Sequence, residues 1–359
     1  MMRYNSVSVM TLFVRCSCVL VPLFWILCGT AFADSTSTLP LIMASPYDKR
    51  HALQHKVFAP WVEEIQTKSK GAIKIDQYDA STLLTEFDAY APLVIGALNV
   101  AGVLPMTLHP IPPVSNLFAY HLDAPNSHVA SRIVWDVVQT HKALQAELQM
   151  MHLLWAWSSS PVYIHTSTKP VTTIAELQGL KLLVWTDLLE RFILSVGGIP
   201  VRCLPAETAS MLRKGLAEGV LCPIPPLISF DISSYINFTT CVPLVYYSFY
   251  MGINKEVWYA LPPEHKALLT ETTGRAMAIR CGLALDVAQN EVQQQLLEQG
   301  HVFIPASKEF QQQCQDHLAR LRQQYLTNIK GLNLPGMSDF SPLIREIRAA
   351  IRREDAGKH

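Results

Sequence analysis

Three consecutive serines, Ser158, Ser159 and Ser160, with His165 and Asp187 further along, supply the residue types of nucleophilic acyl transfer. That chemistry needs its serine on a strained strand-to-helix turn, and no G-x-S-x-G pattern surrounds these three. A polar turn between two lobes is the plainer role. A secreted serine hydrolase stays as the competing class, supported by residue types without motif geometry. His51 and His55 stand four apart on what reads as a helix, the spacing that can place two imidazoles on one metal. No Glu follows His51 and no third ligand stands out, so both histidines are expected on a solvent-exposed face, with no metal and no cofactor. The reading is of a protein that is not an enzyme.

The elements that would position such groups follow from periodicity. Residues 39 to 44, LPLIMA, read as an apolar strand, and residues 51 to 68 as a helix burying Phe58, Trp61, Val62 and Ile65 at 3-4 spacing. Gly71 closes that helix and residues 72 to 78 alternate as a second strand, an opening that implies a right-handed parallel crossover. A helix over 86 to 97, a buried strand over 98 to 105, a helix over 126 to 151 and a strand over 152 to 157 come next. In residues 169 to 185, KPVTTIAELQGLKLLVW, Thr173 and Glu176 form a T-x-x-E capping box and Gly179 ends a short helix. Leu182 to Val184 then read as a strand buried on both faces. Residues 195 to 223 repeat the strand, helix, strand unit, and residues 242 to 254 carry a central strand with clustered aromatics. A helix starts at 261 to 264, a long one fills 274 to 299 with small residues near Gly282, and a short strand spans 302 to 304. Amphipathic helix begins at Ser307, and the chain ends in a basic tail over 346 to 359.

Composition sets the compartment and narrows the partners. Arg3 and Arg15, an apolar core from Val19 to Leu27 and Ala31-Phe32-Ala33 before Asp34 read as a secretory signal peptide over residues 1 to 33, cut after Ala33. Cys28 offers a lipoprotein alternative, which the bulk of Leu27 disfavours. Past residue 33, 27 Lys and Arg face 29 Asp and Glu, a net charge of −2 that gives no reason to expect nucleic acid. The remaining 326 residues suffice for two lobes with separate cores. Cys203, Cys222, Cys241, Cys281 and Cys314 are odd in number and widely spaced, which argues against a disulfide framework. Residues 89 to 122 and 232 to 254 carry no Asp, Glu, Lys or Arg. Their prolines and polar interruptions mark them as buried strands and loops, not membrane spans.

The order of motifs resembles the extracytoplasmic solute receptor, or P subunit, of tripartite ATP-independent periplasmic (TRAP) transporters of the C4-dicarboxylate type. The resemblance runs from Leu39 to Leu334. It is carried by Trp61 to Tyr78, Gly96-Ala97-Leu98, Lys169-Pro170, AELQGLKL at 175 to 182, GGIPV with Glu207 and Gly219, and WYALPPEH at 258 to 265. It implies an α/β, two-lobed periplasmic-binding-protein-like fold with a ligand cleft between the lobes and a long lobe-spanning helix. Lobe I is expected over 38 to 158 plus 246 to 283, and lobe II over 159 to 245 plus 284 to 345. It also implies delivery of a small molecule to membrane permease subunits, in some branches beside a tetratricopeptide-repeat protein, and no catalytic residue.

Departures from the family pattern point to the ligand. The family strand G-L-K-[IL]-R ends in an arginine that clamps the ligand carboxylate, and here Leu183 stands at that position. Tyr163 holds the place of a second arginine, and Leu221-Cys222 that of an acidic-glycine pair. Trp155, Trp157, Trp185, Tyr246, Tyr247, Phe249 and Tyr250 are expected nearby. The candidate ligand wall is Tyr47, Leu104, Met106, Trp155, Trp157, Tyr163, Leu183, Trp185, Asp187, Cys222, Tyr246, Tyr247 and Phe249. Such a wall predicts a hydrophobic or amphipathic ligand held by apolar burial, with a conventional small organic acid as the alternative.

Overall fold

Apolar strands alternating with amphipathic helices need a sheet each time the chain returns, and the chain builds two. The computed structural model describes residues 38–79, 88–105, 114–331 and 339–356. The signal-peptide reading over 1 to 33 and Met106 fall outside the described residues. Strands run in chain order as β1 (Leu39–Ala44), β2 (Ile73–Tyr78), β3 (Val100–Val103), β4 (Met151–Ser158), β5 (Tyr163–Thr166), β6 (Lys181–Val184), β7 (Ile199–Arg202), β8 (Gly219–Cys222), β9 (Phe238–Cys241), β10 (Ser248–Asn254) and β11 (Val302–Pro305). One sheet has the order β2-β1-β3-β10-β4 and the other β11-β9-β5-β8-β6-β7. In the first, β1 runs parallel to β2 and β3, while β10 is antiparallel to β3 and β4. In the second, β6 runs parallel to β7 and β8, β11 parallel to β9, and β5 antiparallel to β8 and β9. The arrangement is a mixed α/β fold of two lobes.

Helices cover both sheets: α1 (Ala59–Lys68), α2 (Tyr90–Val94), α3 (Leu117–His121), α4 (Ser127–Thr140), α5 (Lys142–Glu147), α6 (Asp187–Ser195), α7 (Thr208–Arg213), α8 (Pro226–Ser229), α9 (Lys255–Ala260), α10 (Pro263–Thr272), α11 (Arg275–Glu298), α12 (Lys308–Gly331) and α13 (Ser341–Ala356). Several are shorter than the pattern suggests. The helix expected from His51 begins with a π-helical turn, Gln54–Phe58, that runs into α1. The one expected over 126 to 151 breaks at His141, whose backbone turns extended, and the helix of the unit over 195 to 223 stops short of a left-handed Gly215. Thr173 starts only a 3-10 turn, Ile174–Leu177, whose Glu176 carboxylate accepts from the backbone N–H of Thr172 and Thr173 at 2.7 and 3.1 Å. Gly179 follows at φ +72°.

The lobes are joined by two crossing extended segments. Residues 159–162 leave β4 for β5 beside residues 244–247, which return toward β10. The Val162 N–H donates to Val245 O at 2.9 Å, Leu244 N–H to Val162 O at 3.0 Å and Ser159 N–H to Tyr247 O at 2.8 Å. Helix α11 spans both lobes: Met277, Cys281 and Leu285 pack with the core of the first sheet, and Leu296 with Leu183, Val220 and Cys222 of the second. Gly282 lets α11 approach α4 closely, since a Cβ there would stand 2.5 Å from the His128 Cα. One turn on, the Asp286 carboxylate accepts from the Ser127 and His128 N–H at 2.7 and 3.1 Å, satisfying the free amides at the start of α4.

The stretch read as a basic tail is helical as far as Ala356. Residues 341 to 356 form α13, which buries Leu343, Ile347 and Ala350 against the core that holds Val134, Val138 and Phe118. Three apolar residues at 3-4 spacing give the helix one buried face despite the arginines between them. Cys203, Cys222, Cys241, Cys281 and Cys314 are all free thiols.

Candidate functional site

Parallel strands deliver their carboxyl ends to one side of a sheet, and in this chain those ends converge on a single cavity. Pro46, Tyr47 and His51 follow β1, Leu104 follows β3, Trp185 and Thr186 follow β6, and Pro205 follows β7. Pro223, Pro225, Pro226 and Phe230 follow β8. Ser159 and Ser160 come from one crossing segment, Tyr247 and Phe249 from the other, and Leu285 from α11. The empty volume is about 720 Å³, counting space open to solvent at the mouth. None of the lining residues is Asp, Glu, Lys or Arg.

Rings supported from behind form one wall. Tyr47 stacks on His51 with centroids 3.7 Å apart and meets Phe249 at 5.7 Å. Trp157, fully buried beneath, donates its indole N–H to the Tyr47 hydroxyl at 3.3 Å. Gly102 permits this loop to lie so close, because a Cβ there would come within 2.4 Å of the Pro46 ring. Opposite, Trp185 donates to Thr208 Oγ1 at 2.9 Å and stands edge-on to Phe230. The Thr186 and Tyr247 hydroxyls lie 3.0 Å apart, tying the start of α6 to the crossing segment.

The site carries no formal charge near neutrality. Burial holds the His51 imidazole down to about 3, with His55 adding to the effect, and His51 Nδ1 accepts from the Leu53 N–H at 3.2 Å. Burial likewise pushes the Tyr47 and Tyr247 phenols well above their ordinary range. Hydroxyls and neutral rings are what the cavity offers a ligand.

Tyr47, Leu104, Trp185, Tyr247 and Phe249 stand on the cavity wall, and other expected wall residues do not. Leu183 is fully buried in the apolar cluster with Cys203, Val220 and Cys222, since a leucine on that strand packs into the sheet's own core and ends short of the cavity. Cys222 and Tyr163 belong to the same cluster. Trp155 and Trp157 lie behind the wall, with Trp155 packed edge-on to Trp61 at 5.1 Å. Tyr246 points away and donates to Ala124 O at 2.7 Å. Asp187 is exposed and paired with Arg202 at 2.5 Å. The reading of both histidines as solvent-exposed is corrected for His51, which the π-helical turn and Tyr47 bury while His55 stays exposed. Among the described residues no group of His, Cys, Asp and Glu could hold a metal ion.

Sequence reasoning missed Pro46, Ser159, Ser160, Thr186, Phe230, Leu285 and the prolines at 205, 223, 225 and 226. A usable signal existed, because each of those prolines follows a strand of the parallel type. The three serines are buried: Ser159 Oγ accepts from the Tyr247 N–H at 2.9 Å and Ser158 N–H donates to Ser131 Oγ at 3.0 Å. His165 is buried between Thr239 and the Cys222 carbonyl, so no serine is placed against it.

Known proteins agree with this architecture. The family described as bacterial extracellular solute-binding protein, family 7 (DctP), matches residues 45–328. The outer membrane transporter protein TsaT of Comamonas testosteroni is 22% identical over 317 residues, 86% of this chain and 92% of that one. A TRAP periplasmic solute-binding protein from Bordetella bronchiseptica, solved with bound (R)- and (S)-mandelate, superposes with a TM-score of 0.78 at 22% identity, covering 88% of this chain and 99% of its own. A TRAP solute-binding protein from Rhodoferax ferrireducens with copurified benzoate gives 0.81 at 19% identity, covering 90% and 100%. A marine metagenome TRAP solute-binding protein specific for aromatic acid ligands gives 0.81 at 20%, covering 88% and 99%. TRAP receptors bind small molecules, work with membrane permease subunits and catalyse no reaction. The chain belongs to the bacterial extracellular solute-binding proteins of family 7, and it is a TRAP-type solute receptor.

Proposed function

We propose that this receptor captures a hydrophobic or amphipathic molecule, with an aromatic ring as the best-fitting core, and delivers it to the permease. The observation that carries this reading is a cavity walled by Tyr47, Trp185, Phe230, Tyr247, Phe249 and five prolines without one charged side chain. An aromatic group that buries about 150–250 Å² gains roughly 4–6 kcal/mol before the entropic cost of association. A carboxylate entering the same cavity would meet the hydroxyls of Ser159, Ser160, Thr186 and Tyr247 but no guanidinium. Its desolvation, which costs on the order of several kcal/mol, would be only partly offset.

A conventional organic-acid receptor is the second reading. It is favoured by the mandelate, benzoate and aromatic-acid ligands of the structural relatives. Both readings converge on an aromatic ring, and they differ in whether a carboxylate adds affinity. We further propose export with cleavage after Ala33. Ligand capture would close lobe I, residues 38 to 158 with 246 to 283, onto lobe II, residues 159 to 245 with 284 to 345, while α13 packs against lobe I.

A thermal-shift panel followed by calorimetry tests the ligand class. Aromatic and long-chain compounds should raise the melting temperature, and succinate, pyruvate and sialic acid should not. Micromolar binding of a small dicarboxylate in the cleft itself, with no response to any apolar compound, would overturn the hydrophobic reading and leave the receptor assignment standing.

A further inference from the structure

Behind the hinge lies a second, polar cavity. Adjacent residues of an extended segment face opposite sides, so Tyr247 reaches the ligand cleft while Tyr246 lines a pocket at the back. That pocket has about 920 Å³ of empty space, open mouth included, walled by α3, the crossing segment, α12 and α13. Arg322, Arg348 and Arg352 line it together, against a single carboxylate, Asp123. Among the described residues none of the three arginines has an ion-pair partner. Neither ring nitrogen of His121, which is 7% exposed and lines the same pocket, has a hydrogen-bond partner.

Of the three, Arg322 is partly buried, while Arg348 and Arg352 stand at exposed positions. Burial, with Arg348 adding repulsion, holds Arg322 below the usual guanidinium range, and the same two arginines help depress the His121 imidazole. Such a pocket has donors in excess and few acceptors, the complement of a group rich in anionic oxygens. A concave site also favours a small ligand over a flat acidic protein surface.

We propose that Arg322, Arg348, Arg352 and His121 form a second ligand site that takes a small oligoanion, a phosphate-type or multicarboxylate molecule, separately from the apolar ligand in the cleft. Its occupant bridges α12, α13 and the crossing segment, so binding there stiffens the hinge from behind.

The test uses the receptor as purified and two probes, pyrophosphate and citrate, titrated by calorimetry at matched ionic strength with sodium chloride as the control. Saturable 1:1 binding of at least one probe is expected, and comparing the two separates phosphate-type from carboxylate-type recognition. Arg348→Gln and Arg352→Gln, both at exposed positions, should each weaken it by about ten-fold or more while leaving cleft-ligand binding unchanged. No saturable binding of either probe, or equal binding by the variants, overturns the proposal. So does competition between the oligoanion and the cleft ligand for one site. Failure of the apolar panel alone would leave this site untouched.

Discussion

Phe249 lies stacked on Trp157, their ring centroids 5.3 Å apart and their planes 12° from parallel. One ring faces the ligand cavity and the other is wholly buried beneath it, so recognition and stability are divided between neighbouring rings of the paired strands β10 and β4. Trp157→Ala should cost about 3–5 kcal/mol in urea unfolding, because it leaves a cavity among Tyr47, Phe58 and Phe249. Phe249→Ala should instead show its main loss in affinity for an aromatic ligand. Equal stability losses with unchanged binding in both variants would refute this division.

Leu183→Arg should destabilise the receptor by several kcal/mol, since it places a cation in the cluster of Cys203, Val220, Cys222 and Leu227. Trp185 lies two residues on and reaches the cavity. An aromatic carboxylate should therefore recover part of the lost melting temperature by drawing the guanidinium toward the cleft. An unaltered melting temperature would show that the position is not packed as described.

Glu147 is partly buried, and desolvation pushes its carboxyl up to about 7 despite hydrogen bonds from the Ser115 backbone and hydroxyl. The folded-state value exceeds the unfolded one, so the folded chain holds its proton more tightly. The stabilisation is complete below the unfolded value of 4.5 and is lost as pH rises through about 7. Stability should fall by an amount on the order of a few kcal/mol across that window. Glu147→Gln should flatten the fall, as chemical denaturation at a series of pH values would reveal. Parallel pH profiles for the two proteins would contradict the assignment.

Gly282→Ala should loosen the packing of α11 on α4, because the new methyl would stand 2.5 to 2.9 Å from the backbone of Ser127 and His128. Backbone yields less than a side chain, so a loss of about 1–3 kcal/mol is expected. Hydrogen exchange should quicken at the amides of α4, where the hydrogen bonds to Asp286 would be strained. Unchanged exchange there would count against the close approach.

Element order and the two-lobed class were legible in the amino-acid sequence. Periodicity survives without tertiary context: Trp61, Val62 and Ile65 mark a buried helix face, and Leu182 to Val184 a strand buried on both sides. The missing arginine at position 183 is likewise a fact of sequence. Which aromatics line the cavity was decided by tertiary structure. Tyr246 and Tyr247 are chemically alike, and only the crossing of the lobe connections sends one to the back pocket and the other to the cleft. Trp155 and Trp157 read as wall residues, yet β4 turns them into the core behind Tyr47 and Phe249. The prolines that complete the wall come from separate loops and become neighbours only when the parallel strands align. Three-dimensional convergence leaves no periodic trace along the chain, whereas burial within a single element does.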